Sequence, residues 1–149
     1  MLFRSDQIFG DLIVLSGSRY TANQMLNIGA PVYSYYLTYV AAARRDKQPG
    51  AAHTDDIAFV MQTLDNEADL DVVTDKDREI SELMSAYWVQ FAKTGNPNRS
   101  GLPEWPAYTS NQGPVLEIGD TLAVRENLLQ DRMEFHITRG TDLLEKTRQ

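Results

Sequence analysis

Residues 30–40 read APVYSYYLTYV, and the fold class turns on this stretch. Pro31 leads into VYSYYLTYV at 32–40, a run dense in aromatic and β-branched residues. That composition predicts a strand. Both faces of the run carry large apolar or aromatic groups, the pattern of an inner strand in a sheet covered on both sides.

Working outward, residues 18–28 (SRYTANQMLNI) predict a short helix, ended by Gly29 in the left-handed conformation after its last turn. Before it, DLIVL at 11–15 is a short apolar run open to either strand or helix. After the strand, AAARRDKQPGAA at 41–52 reads as a loop in which Gly50 supplies backbone freedom. Thr54 or Asp55 can cap a following short helix, and Ile57, Val60, Met61 and Leu64 repeat at helical spacing. DNEADLDVV at 65–73 predicts an acidic, exposed linker.

The clearest helix lies at 75–93. Thr74 and Asp77 stand at capping-box spacing. Ile80, Leu83, Met84, Tyr87, Trp88 and Phe91 form one apolar stripe, and Gly95 and Pro97 end the helix. A Gly/Pro/Asn-rich loop with Trp105 and Tyr108 comes next, then a brief strand in PVLEI at 114–118. Residues 121–137 predict a final helix with Leu129 and Met133 on one face, and a polar tail frays from about residue 138. This order predicts an α/β chain. Only one strand is well marked, however, and a two-stranded sheet is marginal as an independent domain. The chain therefore reads as part of something larger.

Composition narrows the function classes. The 149 residues include 21 acidic and 14 basic side chains, a formal net charge of −7. That balance disfavours nonspecific binding to nucleic acid or anionic membrane. No run of 18 apolar residues occurs, so no membrane span is expected. Cysteine is absent, which excludes disulfide and thiol chemistry within the chain and leaves the compartment open.

The candidate chemistry centres on GAAHTDDIAFV at 50–60, which holds one of the two histidines. His53, Asp55 and Asp56 match no metal-ligand spacing, and no metal is predicted. The sequence carries no GxGxxG, no GxxxxGK[ST] and no GxSxG. On spacing alone, His53 fits a structural or surface histidine better than a catalytic base. Trp88 and Trp105 fit a core anchor and a loop pinned over it better than ligand-stacking platforms. Asn98-Arg99-Ser100 is a formal glycosylation sequon, a weak three-residue match.

Several blocks together resemble the C-terminal part of the type B carboxylesterases, the family that includes the cholinesterases. They are APVYSYYLTYV (30–40), PGAAHTDDIAFVMQTL (49–64), ISELMSAYWVQFAKTGNPN (80–98) with GLPEWPAY (101–108), and PVLEI (114–118). IFGDLIVLSGSRYTA (8–22) is similar to the family segment before the strand, with Asp11 at the position of its usual aspartate. The resemblance runs from about residue 8 to about 137. It implies an incomplete central sheet flanked by helices: the C-terminal portion of an α/β-hydrolase fold, with residues 1–149 forming one segment of that domain.

The resemblance also implies hydrolysis of a small-molecule carboxylic ester through a Ser–Glu/Asp–His triad, with no cofactor. His53 takes the place of the triad histidine, preceded by Gly50. Asp56 stands where the family commonly has glutamate, as a supporting position and not the triad acid. Asp11, Trp88 and Trp105 take structural places. The family's GxSxG nucleophile, oxyanion glycines and triad acid belong to upstream sequence, so an N-terminal complementary segment is the expected partner. The alternative is a non-catalytic truncated or adhesion-like interaction domain. The family usually has an aromatic residue at the position of Met61. Its animal members often carry a disulfide in this region; the lack of cysteine fits a bacterial-type member, and secreted, periplasmic and cytoplasmic placements all stay open.

Overall fold

The computed structural model describes residues 14–109 and 113–147, with 140–147 by backbone alone. The chain divides into two compact units. One comprises residues 1–34, 107–114 and 125–149, the other residues 35–106 and 115–124. Asp11 and most of the DLIVL run lie outside the described residues.

In the first unit, α1 spans Ser16–Asn27 and ends where Gly29 adopts φ +75°. Its Arg19 side chain donates to the Leu128 carbonyl at 2.7 Å, and Tyr108 donates its backbone N–H to Val32 O at 2.8 Å. Ala22, Tyr108 and Met133 are buried. The last helix of the chain, Gln130–Thr147, departs from the expectation twice. It starts late, because Asn127 and Leu129 take positive φ and break the chain direction before it. It also continues through the segment expected to fray. Leu129 therefore lies before the helix and Met133 within it.

The second unit holds the sheet. β1 is Tyr35–Leu37, α2 is Asp55–Val60, α3 is Asp75–Thr94, β2 is Val115–Ile118 and β3 is Leu122–Arg125; the last helix of the chain is α4. The strand order is β1-β2-β3, with β1 parallel to β2 in the register Tyr35–Leu116, Tyr36–Glu117, Leu37–Ile118. The three residues between β2 and β3 are too few for a parallel crossover, so this pair is antiparallel and the sheet is mixed.

β3 falls in a segment expected to be helical. The overlooked signal is Gly119-Asp120, a turn pair directly after an apolar run. A Cβ at Gly119 would meet Thr38 Oγ1 at 2.7 Å, so only glycine lets the turn pass this close. The regular part of the first strand is shorter than expected because the ladder runs out. Thr38 and Tyr39 both donate their backbone N–H to the single carbonyl of Ile118, at 2.9 and 3.0 Å. Among the described residues β1 is an edge strand, not an inner one.

α3 forms as its sequence predicts. Thr74 and Asp77 complete the reciprocal capping box, and Gly95 closes the helix at φ +73°. Ile80, Met84 and Tyr87 are buried, whereas Phe91 at the end of the stripe is 44% exposed. α2 is only six residues long and turns a different face inward from the one its spacing suggested. Ala58 and Phe59 are buried, while Ile57 and Met61 are exposed. The Phe59 ring packs edge-on against Tyr39 at 5.6 Å, and its carbonyl accepts from Ser81 Oγ of α3 at 2.7 Å. These two contacts set the rotation of a helix too short to set its own. Residues 65–73 are likewise more than a linker, since Leu70 is buried and Asp65 pairs with Arg78 of α3.

The loop after α3 is pinned by Asn98. Its Nδ2 donates to the Trp105 carbonyl at 2.8 Å and its Oδ1 accepts from the Trp105 N–H at 2.7 Å. Trp105 is thereby held 4% exposed, against the rings of Tyr87, Trp88 and Tyr35 at centroid distances of 5.2, 5.5 and 6.0 Å. The sequon asparagine is thus an internal clamp. Asn98→Ala is expected to lower stability by about 2 kcal/mol, because both Trp105 backbone groups lose their partner. A denaturation midpoint and the tryptophan emission maximum check this; an unchanged midpoint would remove the clamp role.

Candidate active site

The site is built on the segment that leaves β1 and returns as α2. A 3₁₀ turn, Ala42–Arg44, follows the strand, and His53 stands at the tip of the next turn, directly before α2. His53 is exposed, and among the described residues no hydrogen bond reaches its imidazole.

The backbone around His53 is closed by its neighbours. Asp55 donates its N–H to the Ala52 carbonyl at 3.2 Å, and Asp55 Oδ2 accepts from the Ala52 N–H at 2.8 Å. His53 and Thr54 are the two residues enclosed. Thr54 has φ 77° and ψ −4°. Those angles match the third position of a type II turn, about +80° and 0°, a place that favours glycine. Thr54 makes no side-chain cap on α2, and the Asp55 carboxylate turns back to the Ala52 N–H instead of capping the helix. Gly50, expected to supply the backbone freedom here, is not among the residues with positive φ and has room for a Cβ. The unusual conformation sits at Thr54 instead.

Two further groups fix the segment. Tyr35 of β1 donates its hydroxyl to Asp56 Oδ2 at 2.5 Å. Burial and then this bond push the Tyr35 phenol upward, so it stays a neutral donor. The Tyr35 ring packs edge-on against Trp88 at 4.9 Å. Arg44 donates to Asp55 Oδ1 at 3.1 Å and to Glu67 at 3.2 Å, and grips Asp69 through Nε and Nη2 at 2.7 Å each. The bond to Asp69, more than the other charges nearby, holds the guanidinium well above its ordinary value.

Asp56 is therefore engaged with Tyr35 and acts on the loop's position. Trp88 and Trp105 belong to the aromatic cluster beneath Tyr35. Asp11 lies outside the described residues. Sequence reasoning missed Tyr35 and Arg44 as parts of this neighbourhood, because their partners lie 21 and up to 25 positions away. It missed Asp55 as the residue that closes the turn, although an aspartate two places after the histidine was a local signal. Among the described residues no group of three or more His, Cys, Asp or Glu is arranged to hold a metal ion, and no helix is long and apolar enough to cross a membrane.

A mixed, incomplete sheet with helices, carrying a histidine on the loop after a strand, defines a portion of an α/β-hydrolase-like domain. The chain belongs to the carboxylesterase family, a family of carboxylic ester hydrolases, whose model matches residues 3–136. Carboxylesterase 5A of Felis catus is 31% identical over 134 residues, which cover 86% of this chain and 24% of that protein. Liver carboxylesterase of Sus scrofa is 31% identical over 144 residues, covering 93% and 24%. A carboxylesterase of Geobacillus stearothermophilus superposes with a TM-score of 0.66 at 27% identity, covering 82% of this chain and 25% of that one. The chain thus spans about a quarter of the length of the relatives it matches.

Proposed function

We propose that this chain is the C-terminal part of a carboxylic ester hydrolase and that His53 is its general base and acid. One observation carries the reading: in a chain of this family, an exposed histidine tips a closed turn between the first strand and α2, free of hydrogen bonds among the described residues. Asp56, three residues on, accepts from Tyr35 of β1 and makes no hydrogen bond to His53 among the described residues, which fits a supporting role and not that of the triad acid.

The serine nucleophile, the oxyanion donors and the triad acid come from a complementary N-terminal segment. In the reaction the serine oxygen attacks the ester carbonyl while the His53 imidazole takes the hydroxyl proton. The imidazolium then returns that proton to the departing alkoxide, leaving an acyl-serine and the free alcohol. In the second half, water gives its proton to His53 as it attacks the acyl group. The carboxylic acid leaves as the serine regains the proton. A small-molecule carboxylic ester is the substrate.

The isolated 149-residue chain is expected to hydrolyse an aryl acetate no faster than its His53→Ala variant. Addition of an N-terminal family segment bearing the GxSxG serine is expected to produce turnover that depends on His53. Two results would sink the reading. One is His53-dependent turnover by the chain alone with an organophosphate on one of its own serines. The other is a stable complex with the N-terminal segment that remains inert.

A further inference from the structure

The turn that carries His53 contains a conformational conflict. A β-branched residue, Thr54, occupies the left-handed region at φ 77°, where an L side chain with two heavy atoms on Cβ is disfavoured. Such strain persists only where surrounding structure over-determines it. The over-determining contacts can be traced from the core outward. Asp77, buried at 1% exposure in the α3 capping box, accepts from the Ala42 N–H at 3.0 Å. That bond sets the 3₁₀ turn from which Arg44 projects. The Arg44 side chain is 12% exposed, and its planar fork is fixed by two bonds to Asp69 and one to Glu67. The remaining nitrogen, Nη1, reaches Asp55 Oδ1, leaving Oδ2 to take the Ala52 N–H and Gln48 Nε2.

We propose that Arg44 is a positioning residue for His53: by gripping Asp55 it keeps the Ala52–Asp55 turn closed and holds Thr54 left-handed, which fixes where the imidazole is presented. The proposal rests on His53 being the catalytic base. A lysine cannot replace Arg44, since an ammonium lacks the planar fork that spans the three carboxylates of Asp55, Glu67 and Asp69 at fixed angles. A glycine at position 54 removes the need for the clamp, because it takes the left-handed conformation without strain.

Amide hydrogen exchange in the full chain, read residue by residue by NMR, tests this. Arg44→Met is expected to speed exchange of the Ala52 amide about tenfold or more while Met84 and Tyr87 in α3 keep their rates. Arg44→Lys is expected to give the same local loss and guards against a global effect of the methionine. Thr54→Gly placed on either background is expected to restore Ala52 protection. Retention of protection in both single variants, acceleration of Ala52 only in step with α3, or failure of the glycine to rescue overturns the proposal. In the complex with the serine-bearing segment, Arg44→Lys is expected to lower kcat at constant KM, and Thr54→Gly to recover it. If His53→Ala proves fully active there, the catalytic reading fails, whereas a missing exchange effect with an inactive His53→Ala removes only the role of Arg44.

Discussion

His53→Ala, in an ester hydrolase assembled from this chain and its complementary segment, is expected to lower kcat about 10⁴-fold or more with little change in KM. Alanine leaves the serine proton without an acceptor in the attack and the leaving alkoxide without a donor. Both halves of the reaction therefore slow. Substrate binding is barely touched, since an imidazole that acts by proton transfer contributes little to holding the ester. The measurement is steady-state hydrolysis of an aryl acetate by matched complexes, with association confirmed separately. A fall of less than about tenfold would mean that another group moves the proton, because a positioned general base alone is worth about 10²–10⁴-fold. His136, the other histidine, lies on α4, and His136→Ala is the control expected to leave the rate unchanged.

The largest expected loss of stability follows from Asp77. Its carboxylate accepts from Tyr39 Oη at 2.8 Å, Ala42 N at 3.0 Å, Thr74 N at 2.8 Å and Thr74 Oγ1 at 2.7 Å. Asp77→Ala leaves the buried Tyr39 hydroxyl and the Ala42 amide without an acceptor, at roughly 1–3 kcal/mol for each orphaned donor. It also removes the capping box, worth about 1 kcal/mol. A total near 4 kcal/mol is expected, read from the urea midpoint of the isolated chain. A loss under about 1 kcal/mol would show that water satisfies these donors readily.

The same residue sets an acid dependence. Burial raises the Asp77 carboxyl, but the bonds from Thr74, Tyr39 and Ala42 together outweigh it and hold the group below its ordinary value. A depressed carboxyl stabilises the fold fully above its unfolded value, about 4, and loses that contribution as pH falls through the folded value. Stability should thus decline below about pH 4, and Asp77→Asn should flatten that limb. Tyr39, pushed up to about 12 by burial and by Asp77, stays a neutral donor throughout this range.

Legibility in the sequence followed the range of the interactions. α3 was readable because everything that makes it is local: Thr74 and Asp77 three apart, a stripe at intervals of three and four, and Gly95 at the end. The end of α1 at Gly29 was readable for the same reason. β3 and the late start of α4 were not, since the hairpin at Gly119 depends on a close pass by Thr38, 81 positions earlier in the chain, and Leu129 turns against its own preference. The orientation of α2 was misread because the Tyr39 ring and Ser81, both remote in sequence, decide which side of six residues faces inward.

By itself, the sequence determined the α/β class, the long capped helix and the family blocks around His53, all of which rest on local spacing and residue type. Only the tertiary structure decided how that histidine is held. Asp56 goes to Tyr35, Asp55 closes the turn, and Arg44 gathers acidic groups from three separate positions. Charge pairing and backbone closure of this kind depend on distances in space, to which sequence separation gives no guide.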